Sequence, residues 1–327
     1  MSAKTYSTSG VNADADADPD AASSSIAKNT TEALNGIDFP PDSRHRLLLP
    51  NSGTETVGDD RRPLVICFHG SGESCSPSWD GLVGLLRGAP LSLRVFMYDR
   101  REENTGVVGT VGEMWEYLRK EGIRGPYVVV AHSYGGAFAR GFVETDGDEE
   151  VVGVVLVETG QEGGLDAEVE ERQYGRRILG TKPLSVVRGN SLIRQWEDLR
   201  KAEAAVEVGD ELKRGQLRQR RGMLEVWDKA DEEMKRKQLG LVEKKGKKRF
   251  VQVPDCGHHV VRDRPDVVAE EVAWVLENVG KIEDIEDDDN EDGVTERNRE
   301  DVIGRKKKER LWGVWGRFKR KLLGLKM

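Results

Sequence analysis

The chain has 327 residues, 34% of them charged, and a formal net charge of −8 at pH 7. With a mean hydropathy of −0.60 it is too polar to fold entirely into one globule, so part of its length is expected outside the core. Three cysteines, Cys67, Cys75 and Cys256, are too few for a disulfide framework and lack metal-ligand spacing.

Residues 1–42 are rich in Ser, Thr, Ala and Asp, with the run Ala13-Asp14-Ala15-Asp16-Ala17-Asp18. They have little to bury and are expected to be disordered, and they read as no secretory signal. No apolar run approaches the ~20 residues that span a bilayer. An intracellular, cytoplasmic protein is therefore expected. The folded domain is placed at 43–280.

Within it, residues 46–49 are read as a short first strand and 63–68 as a strand buried on both faces, because its apolar run is continuous. Helical spacing follows at Trp79, Leu82, Val83, Leu85 and Leu86. The next strand, 93–98, ends in Asp99-Arg100-Arg101, and 111–121 reads as a helix with Met114, Trp115 and Leu118 inward. Strands at 127–130, 151–157, 183–187 and 249–253 alternate with further helical patterns, the last helix spanning 265–279. Apolar strands alternating with helices argue a parallel sheet covered on both faces. Residues 191–241 are dominated by charge. Their sparse apolar positions (Leu192, Ile193, Trp196, Leu199, Met223, Leu224, Val226, Trp227) suggest two or three surface helices that act as a lid.

Four stations carry candidate chemistry. The central one is Ala131-His132-Ser133-Tyr134-Gly135-Gly136, where a strand turns into a helix at a serine flanked by small residues. This is the pattern of a nucleophile elbow, which exposes the Ser133 hydroxyl on a tight turn. His69-Gly70-Ser71 ends an earlier strand, so the backbone N–H groups of Ser71 and Tyr134 are candidates for an oxyanion hole. His258, on the loop after the strand at 249–253, is the candidate general base, with His259 as the neighbour that points elsewhere. For the orienting acid, Glu158 directly follows the strand after the elbow. The alternative, Asp198, lies in an expected helix.

In this order the stations resemble the α/β-hydrolase superfamily over residues 62–280. The motifs that carry the likeness are Phe68-His69-Gly70-Ser71-Gly72, Tyr98-Asp99-Arg100, the elbow, Val155-Leu156-Val157-Glu158, and Cys256-Gly257-His258 continuing to Asp263-Arg264-Pro265. The resemblance implies an α/β-hydrolase fold with a small helical lid, Ser133 as nucleophile, His258 as base, and Ser71 with Tyr134 as oxyanion donors. Members with the acid at this point support Glu158. The implied activity is that of a serine hydrolase (esterase, lipase or thioesterase-like) on a small-molecule ester, working through an acyl-enzyme and without a metal or cofactor. An acyltransferase, a perhydrolase, or an inactive ligand- or partner-binding protein is the alternative. The Tyr-Asp-Arg turn departs from the family pattern, because Arg101-Glu102-Glu103-Asn104 stands where glycines usually follow.

Beyond the domain, 281–304 forms an acidic linker and 305–327 is basic, with Leu311, Trp315, Phe318, Leu322 and Leu325 at helical spacing. A basic amphipathic helix of this kind suits peripheral contact with a membrane surface. Nucleic acid is not expected as a partner, because the pI is about 5.4 and the tail's aromatics lie on one face.

Overall fold

The computed structural model describes residues 36–37, 45–51, 63–100, 106–145, 150–160, 165–281 and 295–297. The basic helix expected at 305–327 lies outside the described residues. So do the departing turn at 101–104, nearly all of the acidic linker and most of segment 1–42.

Among the described residues nine strands form one sheet: β1 (Gly36–Ile37), β2 (His45–Leu48), β3 (Leu64–Phe68), β4 (Arg94–Tyr98), β5 (Tyr127–His132), β6 (Val151–Val157), β7 (Leu184–Arg188), β8 (Lys248–Gln252) and β9 (Thr295–Arg297). Their order is β1-β2-β4-β3-β5-β6-β7-β8-β9. β1 and β2 pair antiparallel, and β2 runs antiparallel to β4. All other pairs are parallel. β1 falls inside the segment 1–42 and β9 inside the acidic linker, so the sheet reaches beyond the limits drawn from composition. This is the α/β-hydrolase fold: a mostly parallel sheet with helices on both faces.

Successive side chains of a strand point to opposite faces, and the two halves of the core follow that rule. Leu64, Ile66 and Phe68 of β3 pack with Val129 and Ala131 of β5 in one cluster. The same cluster holds Met114 and Trp115 of α2 (Gly106–Lys120) and Phe142 of α3 (Gly135–Thr145). The rings of Trp115 and Phe142 stack with centroids 4.2 Å apart. Val65 and Cys67 face the other way and pack with Val128 and Val130. There they meet Leu82 and Leu86 of α1 (Asp80–Arg87), together with Val268, Val272 and Val275 of a late helix, α8 (Pro265–Asn278). Leu85, expected on the inner face of α1, is 44% exposed. It lies one position off the 3.6-residue stripe that Leu82 and Leu86 define.

Among the described residues four helices lie between β6 and α8. They are α4 (Ala167–Arg176), α5 (Ile193–Ala204), α6 (Glu211–Lys237) and the short α7 (Val260–Asp263). A 3-10 turn, Gln238–Leu241, leads α6 back to β8. Of the apolar positions noted in α6, only Leu224 is buried, whereas Met223, Val226 and Trp227 are exposed.

Candidate active site

The sheet's carboxyl edge collects the candidate residues, as expected where parallel strands deliver their following loops to one side. At the end of β5 the chain turns at Ser133, whose φ of 53° is in the left-handed region. For a non-glycine residue that conformation costs on the order of 1–3 kcal/mol, so its surroundings must enforce it. The Ser133 N–H donates to Val157 O at 3.0 Å, and its own carbonyl accepts from Gly136 N at 2.9 Å. A Cβ on Gly135 would stand 2.2 Å from Phe68 O, and one on Gly136 2.8 Å from the Thr159 side chain. The small residues of the elbow are therefore packing requirements of α3 against β3 and β6.

Glu158 repeats this geometry one strand over. It follows β6 directly, has φ 52°, and donates its N–H to Val187 O at 2.8 Å. Its side chain is completely buried. Oε1 accepts from Gly189 N at 2.6 Å, and Oε2 accepts from Ser191 Oγ at 2.7 Å and His258 Nδ1 at 3.0 Å. His258 Nε2 lies 3.0 Å from Ser133 Oγ. A carboxylate only accepts, so the imidazole proton sits on Nδ1 and Nε2 is left to accept from the serine hydroxyl. Burial would raise the Glu158 carboxyl, but the His258 hydrogen bond, the Lys235 charge, the Ser191 hydroxyl and the Gly189 N–H outweigh it and hold it below the usual range. Gly189 lets the loops after β7 and β8 touch, since a Cβ there would fall 2.3 Å from Gly257 O. Asp198, the alternative acid, is exposed on α5, and the carboxylate beside His258 Nδ1 is that of Glu158.

On the other side of Ser133 lies the loop after β3. A Cβ on Gly70 would be 3.2 Å from Ser133 Cβ, which brings His69-Gly70-Ser71 against the elbow. Neither the Ser71 nor the Tyr134 backbone N–H has an acceptor among the described residues. Arg100 fastens this loop, donating Nη1 to His69 O at 2.6 Å and Nη2 to Gly70 O at 2.7 Å. Its backbone N–H donates to His69 Nε2 at 3.2 Å, so His69 carries its proton on Nδ1, which donates to Gly70 O at 2.8 Å. Burial and the neighbouring Arg100 charge push the His69 imidazole down to about 4. The Tyr-Asp-Arg turn thus reaches the site although its continuation departs from the family pattern.

His259 points away from Ser133. Its Nδ1 lies 3.1 Å from Glu73 Oε1. His132 Nδ1 lies 3.4 Å from Glu73 Oε2, an ion-pair distance, while its Nε2 donates to His258 O at 2.9 Å. Led by His132, these partners hold the Glu73 carboxyl at about 2.

A sequence model of the alpha/beta hydrolase family matches residues 65–271. The chain belongs to the α/β-hydrolase family. Among curated proteins, one from Hormonema carpetanum, named as the probable transporter efuK, is 26% identical over 305 residues, covering 71% of this chain and 42% of that protein. The chain thus spans less than half the length of that relative. Among solved structures, a thermophilic esterase from Thermogutta terrifontis is 16% identical with a TM-score of 0.40, covering 71% of this chain and 93% of that one. MenH from S. aureus is 15% identical with a TM-score of 0.40, covering 71% and 97%.

Sequence reasoning missed one group of residues beside the candidate site. Arg188, the last residue of β7, donates Nε to Asp231 Oδ2 at 2.9 Å, Nη2 to Asp228 Oδ1 at 2.5 Å and Nη1 to Glu232 Oε2 at 3.4 Å. Lys235, one helical turn past Asp231, bonds to it and sits 3.5 Å from Glu158 Oε1. Gln238 Nε2 donates to Thr159 O at 2.9 Å, and Thr159 Oγ1 donates to Gln238 Oε1 at 2.6 Å. The available signal was a basic residue ending an apolar strand, together with acids at 228, 231 and 232 spaced along one side of a helix. In a stretch so charged, that spacing does not stand out from a solvated surface. Among the described residues no helix is long and apolar enough to cross a membrane.

Proposed function

We propose that the protein is a serine hydrolase that cleaves a small carboxylic ester or thioester through an acyl-enzyme on Ser133. The observation that carries this reading is the continuous chain Ser133 Oγ–His258 Nε2–His258 Nδ1–Glu158 Oε2, with 3.0 Å at each hydrogen bond. In the first step His258 Nε2 takes the hydroxyl proton as Oγ attacks the substrate carbonyl carbon. The developing oxyanion would accept from the Ser71 and Tyr134 N–H groups, each such donor contributing about 3 kcal/mol in well-studied enzymes. His258 then protonates the leaving alcohol or thiol, and a water molecule repeats the sequence on the acyl-enzyme. Glu158 stabilises the imidazolium and fixes its tautomer. An acyl acceptor other than water would make the same site an acyltransferase.

Residues 191–241 are read as the lid, because α6 ends beside Glu158, and residues 305–327 as a membrane-surface anchor that sets location. The full-length protein should be labelled by a fluorophosphonate probe, and Ser133→Ala should abolish labelling with the folded fraction unchanged. Glu158→Gln should lower turnover by about 10⁴-fold, the size seen when an orienting carboxylate is neutralised elsewhere. Labelling that survives Ser133→Ala would overturn the assignment of the nucleophile.

A further inference from the structure

Helix α6 delivers one buried charge to the site that the acyl-transfer steps do not use. Lys235 is 1% exposed, with its Nζ between Asp231 of its own helix and Oε1 of Glu158. Taking an ammonium out of water is unfavourable by several kcal/mol unless it is well paired, and an apolar side chain would fill the same space without that penalty. The two carboxylates provide the pairing. Asp231 is held in turn by Arg188, so the arrangement runs unbroken from β7 through α6 to the end of β6. Glu158 is faced by Lys235 from α6, by His258 from the loop after β8, and by the Ser191 hydroxyl and Gly189 N–H from the loop after β7. Lys235 is the one permanent cation against it among the described residues.

We propose that Lys235 is a positioning residue for Glu158, and that docking of α6 through Asp231 and Arg188 is what makes the His258–Glu158 pair competent. The inference rests on the serine-hydrolase reading. Glu158 uses Oε2 for His258 and Ser191, which leaves Oε1 to Gly189 and the ammonium. The ammonium favours the ionised carboxylate in a site where burial opposes it. A protonated Glu158 would lose the charge that stabilises the imidazolium and would accept from Nδ1–H more weakly. Undocking α6 would remove the cation and leave the buried acid with neutral donors and the imidazole. Access to the site and its electrostatic readiness would then change together, in one motion of one helix.

The test is the second-order rate of fluorophosphonate labelling of the full-length protein, measured from pH 5 to 9. Lys235→Met keeps the stem and removes the charge. It should slow labelling about tenfold at pH 7, and it should move the acid limb of the profile up by about half a unit or more, because loss of a nearby positive charge favours protonation of both partners. Asp231→Asn breaks the Arg188 link that docks α6 and withdraws the ammonium with it, so it should move the same limb up as well. A purely structural lysine would lower the unfolding temperature and leave the limb in place. If either limb stays in place or moves down, the inference is overturned; should Lys235→Met not fold, the direction of the Asp231→Asn shift decides alone. If the wild-type protein is labelled only where Ser133 is present but the limbs stay put, this inference falls and the serine-hydrolase reading stands. If Ser133 is not the labelled residue, both fall.

Discussion

Helices α8 and α6 hold opposite kinds of ground. In α8, eight of 14 residues are buried, seven of them apolar, and they pack on β5, β6 and β7. α6 is nearly twice as long, yet it buries only Leu224, Asp231 and Lys235 of its 27 residues. α8 is held by area removed from water, at roughly 25 cal/mol per Å² of apolar surface. α6 is held by a few buried charges whose net contribution depends on every partner being present. The difference teaches where the site is rigid and where it can move. Ser133 and the loop after β3 belong to the packed part, whereas Glu158 looks both ways.

The sharpest way to break the packed side is at the elbow. Gly135→Ala would set a methyl 2.2 Å from Phe68 O and 2.8 Å from His69 O, both backbone atoms. Relief requires α3 to shift from β3, and overpacking of this kind costs about 3 kcal/mol or more. A displacement on the order of 1 Å at the nucleophile would remove about 10²-fold of activity on top of that. Gly112→Ala is the control. It lies mid-helix in α2 with nothing within 4 Å of the added methyl, and should stabilise by about 1 kcal/mol. Denaturant midpoints and labelling rates for the two variants measure both effects, and equal stability of the two would refute the packing account of the elbow.

The charged side should break differently. Arg188→Met removes the guanidinium that holds Asp228, Asp231 and Glu232. The loss of one partner from a buried network costs about 3 kcal/mol, and here it should fall on α6 more than on the sheet. Limited proteolysis should then cut within 191–241 many times faster than in the wild type, while the midpoint of the sheet's unfolding shifts less. Uniform acceleration of cleavage along the whole chain would mean that α6 is not a separately anchored element.

The same contrast explains what could be read from the residues alone. Sheet strands announce themselves as continuous apolar runs, and Val267, Val268, Val272, Val275 and Leu276 of α8 repeat at helical spacing. The elbow's glycines, the serine before them, and the carboxylate and histidine at strand ends follow from local chain geometry. Those positions were therefore accessible. The face of α6 was not, because its apolar residues Met223, Val226 and Trp227 turn outward while charged Asp231 and Lys235 turn in. Inward charges obey pairing, and pairing is a property of residues brought together from distant parts of the chain. For the same reason the role of Arg100, whose guanidinium clamps two carbonyls of the loop after β3, does not show in its place along the chain.

The effect that needs no change of sequence is a pH dependence of stability located on the packed side. His69 is neutral in the fold, its imidazole pushed by burial and by Arg100 down to about 4 from the ordinary 6.5. Between those values the unfolded chain binds a proton that the folded one does not, so stability is fully present above about pH 6.5 and is lost as pH falls toward 4. The slope from this one group reaches at most about 1.4 kcal/mol per pH unit. Burial also lowers the His259 imidazole, which adds in the same direction. Glu73, held at about 2 from 4.5, contributes a later loss as pH falls from 4.5 toward 2. His69→Gln should cost stability at pH 7.5, where the wild-type loop is intact, yet flatten the decline between pH 6.5 and 4.5. Denaturant midpoints at three pH values across that window give the slope directly. An unchanged slope in the variant would place the acid sensitivity elsewhere, with His259 or the charged partners of α6, and would reverse the assignment of the pH-sensitive side.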